Sequence, residues 1–127
     1  MMGFSFPRSV ESIGYYANDV YPAMLFIETP LFTKRVKELL DEEAYRLLQV
    51  RLMASPDAGD LIEGTGGLRK VRVAARGHGA RGGARVIYYH FTRVSQVAML
   101  YIYPKNEQTD LSADQRKALK SIIEQWR

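Results

Sequence analysis

Residues Leu68–Tyr103 read LRKVRVAARGHGARGGARVIYYHFTRVSQVAMLYIY. The opening "LRKVRVA" alternates, so Arg69, Val71 and Val73 point to one face of a strand and Leu68, Lys70 and Arg72 to the other. The runs "ARVIYYHF" and "SQVAMLYIY" are almost unbroken β-branched and aromatic sequence, the pattern of strands packed on both sides. Between the first two runs lies a glycine-rich tip with Gly77, Gly79, Gly82 and Gly83, and a second turn falls near Arg93 to Ser95. The stretch therefore predicts three antiparallel strands joined by hairpins.

Working outward, "MLFIE" from Met24 suits one more strand, and Thr29 followed by Pro30 supplies a helix N-cap and a first-turn proline. Phe32, Val36, Leu39 and Leu40 then recur at helical spacing. The "DEE" at Asp41 to Glu43 reads as a fresh cap with acids in the first turn of a second helix, which turns Tyr45, Leu48 and Leu52 inward and stops before Pro56. At the other end, "SADQ" from Ser112 to Gln115 is a capping box, followed by a stripe of Leu119, Ile122, Ile123 and Trp126. The predicted fold class is α+β: two N-terminal helices and a C-terminal helix packed on a mainly antiparallel twisted sheet of about four strands, with no internal repeat.

A chain of 127 residues, 46% hydrophobic and 25% charged, fits one globular domain with a modest core. Met24 directly precedes the first clear element, so the domain is expected to run over 24–127. Residues 1–23 are expected to be an upstream extension, disordered or outside the native start, or else an accessory strand using Tyr15, Tyr16 and Tyr21. The first residues lack the basic start and apolar run of a secretion signal. The absence of cysteine excludes disulfides and Cys-based zinc sites, and makes the cytoplasm the expected compartment. No apolar run approaches membrane-spanning length, so no membrane association is expected.

Charge is segregated. Between Glu63 and Glu107 no acid occurs, while Arg69, Lys70, Arg72, Arg76, Arg81, Arg85, Arg93 and Lys105 do. That window carries +8 in a chain of net +4, leaving −4 elsewhere. Such a window is either a polyanion-binding surface or a solvated basic face. Antiparallel connectivity favours the former, because it sets Arg72 beside Arg85 and returns Tyr103, Pro104 and Lys105 to the same edge. Glycines in the tip allow close approach of backbone to a ligand, although the same spacing suits an ordinary hairpin. The Gly-Lys-Ser/Thr ending of a phosphate-binding P-loop is missing. His78 and His90 lack cysteine partners and stand in different contexts, so neither a metal nor another cofactor is expected. His90 reads as a hydrogen-bonded sheet histidine, and His78 as a phosphate contact, a proton carrier or an incidental loop residue. Glu107 is placed to hold Lys105.

The blocks "EGTGGLRKVRVAARGHGARGGARVIYY" and "YPKNEQTDLSADQRKALKSIIEQW" resemble the RelE/ParE superfamily of bacterial toxins, most nearly its RelE-like HigB members, over about Leu25 to Trp126. The resemblance implies a compact microbial-ribonuclease-like fold, an endoribonuclease that cleaves mRNA in the ribosomal A site, and neutralisation by a HigA-like helix-turn-helix antitoxin. On the matching positions it implies Lys70, Arg72, Arg85 and Lys105 as catalytic residues. Arg69, Arg76, His78, Arg81 and Tyr103 follow as contacts to RNA or the ribosome, Tyr103 either as a stacking ring or as a packed strand-end tyrosine. Relatives often carry several lysines in the glycine-rich loop, where this chain has Arg76, His78 and Arg81. Some also use an arginine and a tyrosine after the last strand, where it has Asn106 and no tyrosine.

In such a reaction Arg85 and Arg72 would clamp the phosphorane, since guanidinium groups pair with phosphate oxygens bidentately. Lys70 is the candidate base, because crowding by like charges favours a neutral amine. Lys105 would hold the phosphate or protonate the leaving oxygen. The alternatives are a ParE-like inhibitor of DNA gyrase acting by protein contact and a basic RNA-binding module without catalysis.

Overall fold

A computed structural model describes residues 24–75 and 83–126; the expected extension at 1–23 and the residues Arg76, His78 and Arg81 lie outside these. Five strands and three helices follow in the order β1 (Leu25–Glu28), α1 (Pro30–Leu39), α2 (Glu42–Ala54), β2 (Asp60–Leu61), β3 (Arg69–Ala75), β4 (Gly83–Phe91), β5 (Gln96–Pro104) and α3 (Ala113–Trp126). They form one sheet of order β1-β5-β4-β3-β2. Only β1 and β5 run parallel; the remaining pairs are antiparallel. The α+β class and mainly antiparallel sheet agree with the sequence reading. The fifth strand is β2, two residues long and too short to leave a periodic signal.

Local chemistry explains the helix boundaries. Thr29 caps α1 by accepting the Phe32 N–H at 3.1 Å, with Pro30 in the first turn where a missing N–H costs nothing. Asp41 caps α2 through the Ala44 N–H at 2.7 Å, and Glu42 and Glu43 complement the helix dipole. At α3 the capping box closes both ways: Gln115 N–H donates to Ser112 Oγ at 3.1 Å, and Ser112 N–H to Gln115 Oε1 at 2.9 Å.

The sheet separates two cores. On one face Phe32 and Val36 of α1, with Leu48, Leu52 and Met53 of α2, pack against Val71, Val86, Tyr88, Val97 and Met99. On the other, Leu119, Ile122 and Ile123 of α3 pack against Leu68, Ile87, Leu100, Tyr101 and Tyr103. Alternation along β5 fails once. Ile87 pairs with Tyr101 and Tyr88 with Met99, so Leu100 has no partner in the ladder, and Leu100 and Tyr101 turn to the same α3 side. This is a β-bulge, one extra residue that re-aims everything after it. Tyr103, and Lys105 beyond it, thereby come to the face that carries Lys70 and Arg72.

The segment leading into β2 is fastened to the sheet. Tyr88 OH donates to the Pro56 carbonyl at 2.7 Å and accepts the Gly59 N–H at 2.9 Å, while Arg69 donates to the carbonyls of Gly59 (2.7 Å) and Asp57 (3.2 Å). A Cβ at Gly59 would stand 2.8 Å from the Lys70 carbonyl oxygen, so only glycine allows this approach.

Candidate functional site

Register alone assembles the positive groups. Arg72 pairs with Arg85 across β3 and β4, and Arg85 with Tyr103 across β4 and β5, making one rung of three side chains on the α3 side. Lys70 stands two residues back on β3. Gly83 opens β4 at φ 39°, a conformation that favours glycine, and its carbonyl accepts the Lys105 N–H at 3.1 Å, which pins Lys105 beside the start of the strand bearing Arg85.

Lys70, Arg72, Arg85 and Lys105 line a single cleft of about 490 Å³. A fifth cation, Arg51, enters from the last turn of α2. The ladder between β2 and β3 ends at Lys70, and Arg51 Nη1 donates to the Arg72 carbonyl at 3.3 Å just past that end. Sequence reading missed Arg51, which lies outside the acid-free window. Two carboxylates, Asp60 and Asp110, also reach the cleft, leaving an excess of three positive charges.

These cations differ in their surroundings. Arg85 is only 7% exposed, and its guanidinium has a long bond, 3.4 Å, to the Ala84 carbonyl. None of Arg72, Arg85 and Lys105 forms an ion pair among the described residues. A buried cation without a counter-ion is costly, and an incoming anion recovers that cost. Lys70 by contrast donates to Asp110 Oδ1 at 2.5 Å, and this bond holds the Asp110 carboxyl below its ordinary value. Crowding by like charge is therefore only part of its environment. An ammonium has no lone pair, so Lys70 can accept a proton only as the neutral amine, after giving up a proton of its own and leaving Asp110. Asp110 stands just beyond the acid-free window, in the loop before α3, which hid it from a reading of charge runs.

Other candidates sit elsewhere. Arg69 lines neither this cleft nor its rung, its guanidinium being occupied by the carbonyls of Asp57 and Gly59. Glu107, expected to hold Lys105, is instead bound by Arg35 at 2.8 Å, and Arg35 also donates to Tyr101 OH at 3.0 Å. The longer reach and planar fork of Arg35 from α1 explain the exchange. His90 lies near the far end of β4, opposite Val97; burial chiefly, and then Arg69, lower its pKa from the ordinary value. Among the described residues no three or more His, Asp or Glu side chains gather into a group that could hold a metal ion.

Tyr103 is fully buried, 5.7 Å from the Tyr101 ring, and its hydroxyl has no hydrogen-bond partner among the described residues. Tyr103→Phe is expected to raise stability by about 1 kcal/mol at neutral pH, because it removes a buried unpaired hydroxyl. Burial, chiefly, pushes this phenol up to about 12 from 10.0. The folded form thus favours the neutral phenol, and its contribution is present below pH 10 and lost as pH rises through about 12. Denaturant titrations at neutral and alkaline pH check both points, the Phe variant losing part of the alkaline decline.

The family model described as the RelE toxin of the RelE/RelB toxin-antitoxin system matches residues 32–127, from the third residue of α1 onward. The chain belongs to the RelE toxin family. Its assignment to the toxin side of a toxin-antitoxin pair follows, and the matched span contains every cleft residue named above. Among the described residues no helix is long and apolar enough to cross a membrane.

Proposed function

We propose that this RelE-family chain is a ribosome-dependent endoribonuclease that cleaves mRNA in the A site, acts in the cytoplasm, and is restrained by a helix-turn-helix antitoxin. The observation that supports the reading best is the meeting of Lys70, Arg72, Arg85 and Lys105 in one cleft, with the Arg85 guanidinium buried and lacking a carboxylate partner.

The chemistry suited to that cleft is attack of a ribose 2′-oxygen on the adjacent phosphorus. The 2′-hydroxyl proton passes to a base, the new P–O bond closes a 2′,3′-cyclic phosphate, and the P–O5′ bond breaks with a proton delivered to the departing oxygen. Charge accumulates on the non-bridging oxygens in the phosphorane. Preorganised cations stabilise that state more than the starting diester, and Arg72 and Arg85, side by side on one rung, can each offer paired donors. Lys70 serves as the base in its neutral form, its extra proton passing to solvent as it leaves Asp110, and Lys105 as acid or phosphate clamp. The separation of Lys70 from Asp110 requires a competing anion or a shift of the loop before α3, and bound substrate supplies the former. A ribosome that holds the mRNA against the open cleft completes the geometry, which makes free RNA a poor substrate.

Purified protein incubated with translating ribosomes should generate new mRNA 5′ ends carrying hydroxyl groups, at positions within the A-site codon. Their absence, with translation still arrested, would assign the basic cleft to binding alone.

A further inference from the structure

Asp60 is the residue that phosphate chemistry leaves unexplained. It stands in a cleft with an excess of cations, where a carboxylate opposes the binding of phosphate, and its side chain forms no ion pair or hydrogen bond among the described residues. The second residue of β2, Leu61, is 61% exposed, the most exposed large hydrophobic side chain among those described. A two-residue strand thus presents one free carboxylate and one free apolar side chain beside the proposed site of cleavage.

Both residues line a second cleft, of about 320 Å³, that continues from the first across the Lys70–Asp110 pair and lies between β2 and the start of α3. Leu111 is buried and Ile62 half-buried, both within the core under α3, so they give this cleft an apolar lining, with Leu61 at its edge. Glu63 and Arg116 complete its rim. Its size lies at the lower end of the range of small-ligand sites, about 300–1,000 Å³, and suits one planar ring.

Single-stranded RNA is read by stacking its bases on side chains and bonding their Watson–Crick edges, and a carboxylate accepts from ring and exocyclic N–H groups. We propose that the cleft between β2 and α3 seats a nucleobase flanking the scissile phosphate, with Asp60 selecting amino-bearing bases over uracil; this rests on the endoribonuclease reading above. Guanine, adenine and cytosine each present an exocyclic amino group to the carboxylate. Uracil presents two carbonyl oxygens flanking a single N–H, and those oxygens repel it. The phosphate cleft and the base cleft share Asp60, Lys70 and Asp110, so one nucleotide can occupy both at once.

The test is the base distribution at mapped cleavage sites on translating ribosomes, for wild type, Asp60→Asn and Asp60→Ser. Asp60 is exposed and makes no side-chain bond within the described fold, so both variants are expected to fold. In the wild type uracil should be depleted about tenfold at one fixed position next to the cut, corresponding to about 1.4 kcal/mol of discrimination. Asn, which can donate to the uracil carbonyls, should bring uracil to parity there, and Ser should move the ratio the same way. Cleavage with no uracil depletion, or a ratio unchanged in both variants, overturns the base site and leaves the nuclease standing. No cleavage by the wild type overturns the nuclease reading and the base site with it.

Discussion

Arg85→Gln is expected to slow single-turnover mRNA cleavage by about 10²–10³-fold, the scale seen when one preorganised donor to a developing oxyanion is removed. The fold should survive the change, and its stability should be equal or higher. Arg85 lies at the centre of the rung, with the like charge of Arg72 directly opposite on β3 and a fully buried tyrosine on β5. Like charges directly across a ladder destabilise, and burial adds the cost of desolvation. Gln keeps most of the length and can still bond a carbonyl, but brings neither penalty. The same reasoning fixes a second readout. Inorganic phosphate should raise the thermal midpoint of the wild type through preferential binding to the folded state, and should do so much less for the variant. Retention of more than a third of the wild-type rate, or an equal response to phosphate, would show that Arg85 is not the anion-binding centre.

The parts of this site that could be read from sequence are those set by periodicity and capping. Alternation in "LRKVRVA" placed Lys70 and Arg72 on one face, and hairpin connectivity placed Arg85 opposite Arg72; the register shows both. The helix caps at Thr29, Asp41 and Ser112 were visible because a capping oxygen must precede its N–H by a fixed spacing. What escaped depends on contacts distant in sequence. Arg51 enters the cleft only because β2 begins at Asp60, opposite Lys70, and leaves the edge of β3 open at Arg72 beside α2. Asp110 meets Lys70 across forty residues. Charge counting also gave Arg69 the same weight as Arg72, although alternation had already separated them, and Arg69 spends its donors on two backbone carbonyls. A run of basic residues does not distinguish a guanidinium that fastens a turn from one left for a ligand.

The bulge is the other feature that alternation cannot reveal, and it makes Thr29 the position where a near-isosteric change should cost most stability. Thr29 is fully buried and holds four bonds: its N–H donates to the Met99 carbonyl (3.1 Å), its carbonyl accepts the Thr33 N–H (3.0 Å), its Oγ1 accepts the Phe32 N–H (3.1 Å), and its hydroxyl donates to the carbonyl of the bulged Leu100 (2.8 Å). Thr29→Val keeps the shape and both backbone bonds but strands a helix N-terminal donor and a bulge carbonyl away from water. A lost cap costs about 1–2 kcal/mol and a stranded buried acceptor about 1–3, so a loss of about 2–5 kcal/mol is expected. Thr29→Ser keeps the hydroxyl and loses one methyl group, with a cost nearer 1 kcal/mol. Denaturant melts of the two variants separate the explanations, since a larger loss in the Ser variant than in the Val variant would mean that packing of the methyl group, not the shared hydroxyl, holds this corner. The same corner bears on chemistry. Were the strand to alternate strictly through Leu100 without the bulge, Tyr101 and Tyr103 would turn toward α1 and α2, and Lys105 would follow them off the face that carries Arg72 and Arg85. One hydroxyl thus caps the helix beside β5 and fixes the irregularity by which β5 delivers its lysine to the cleft.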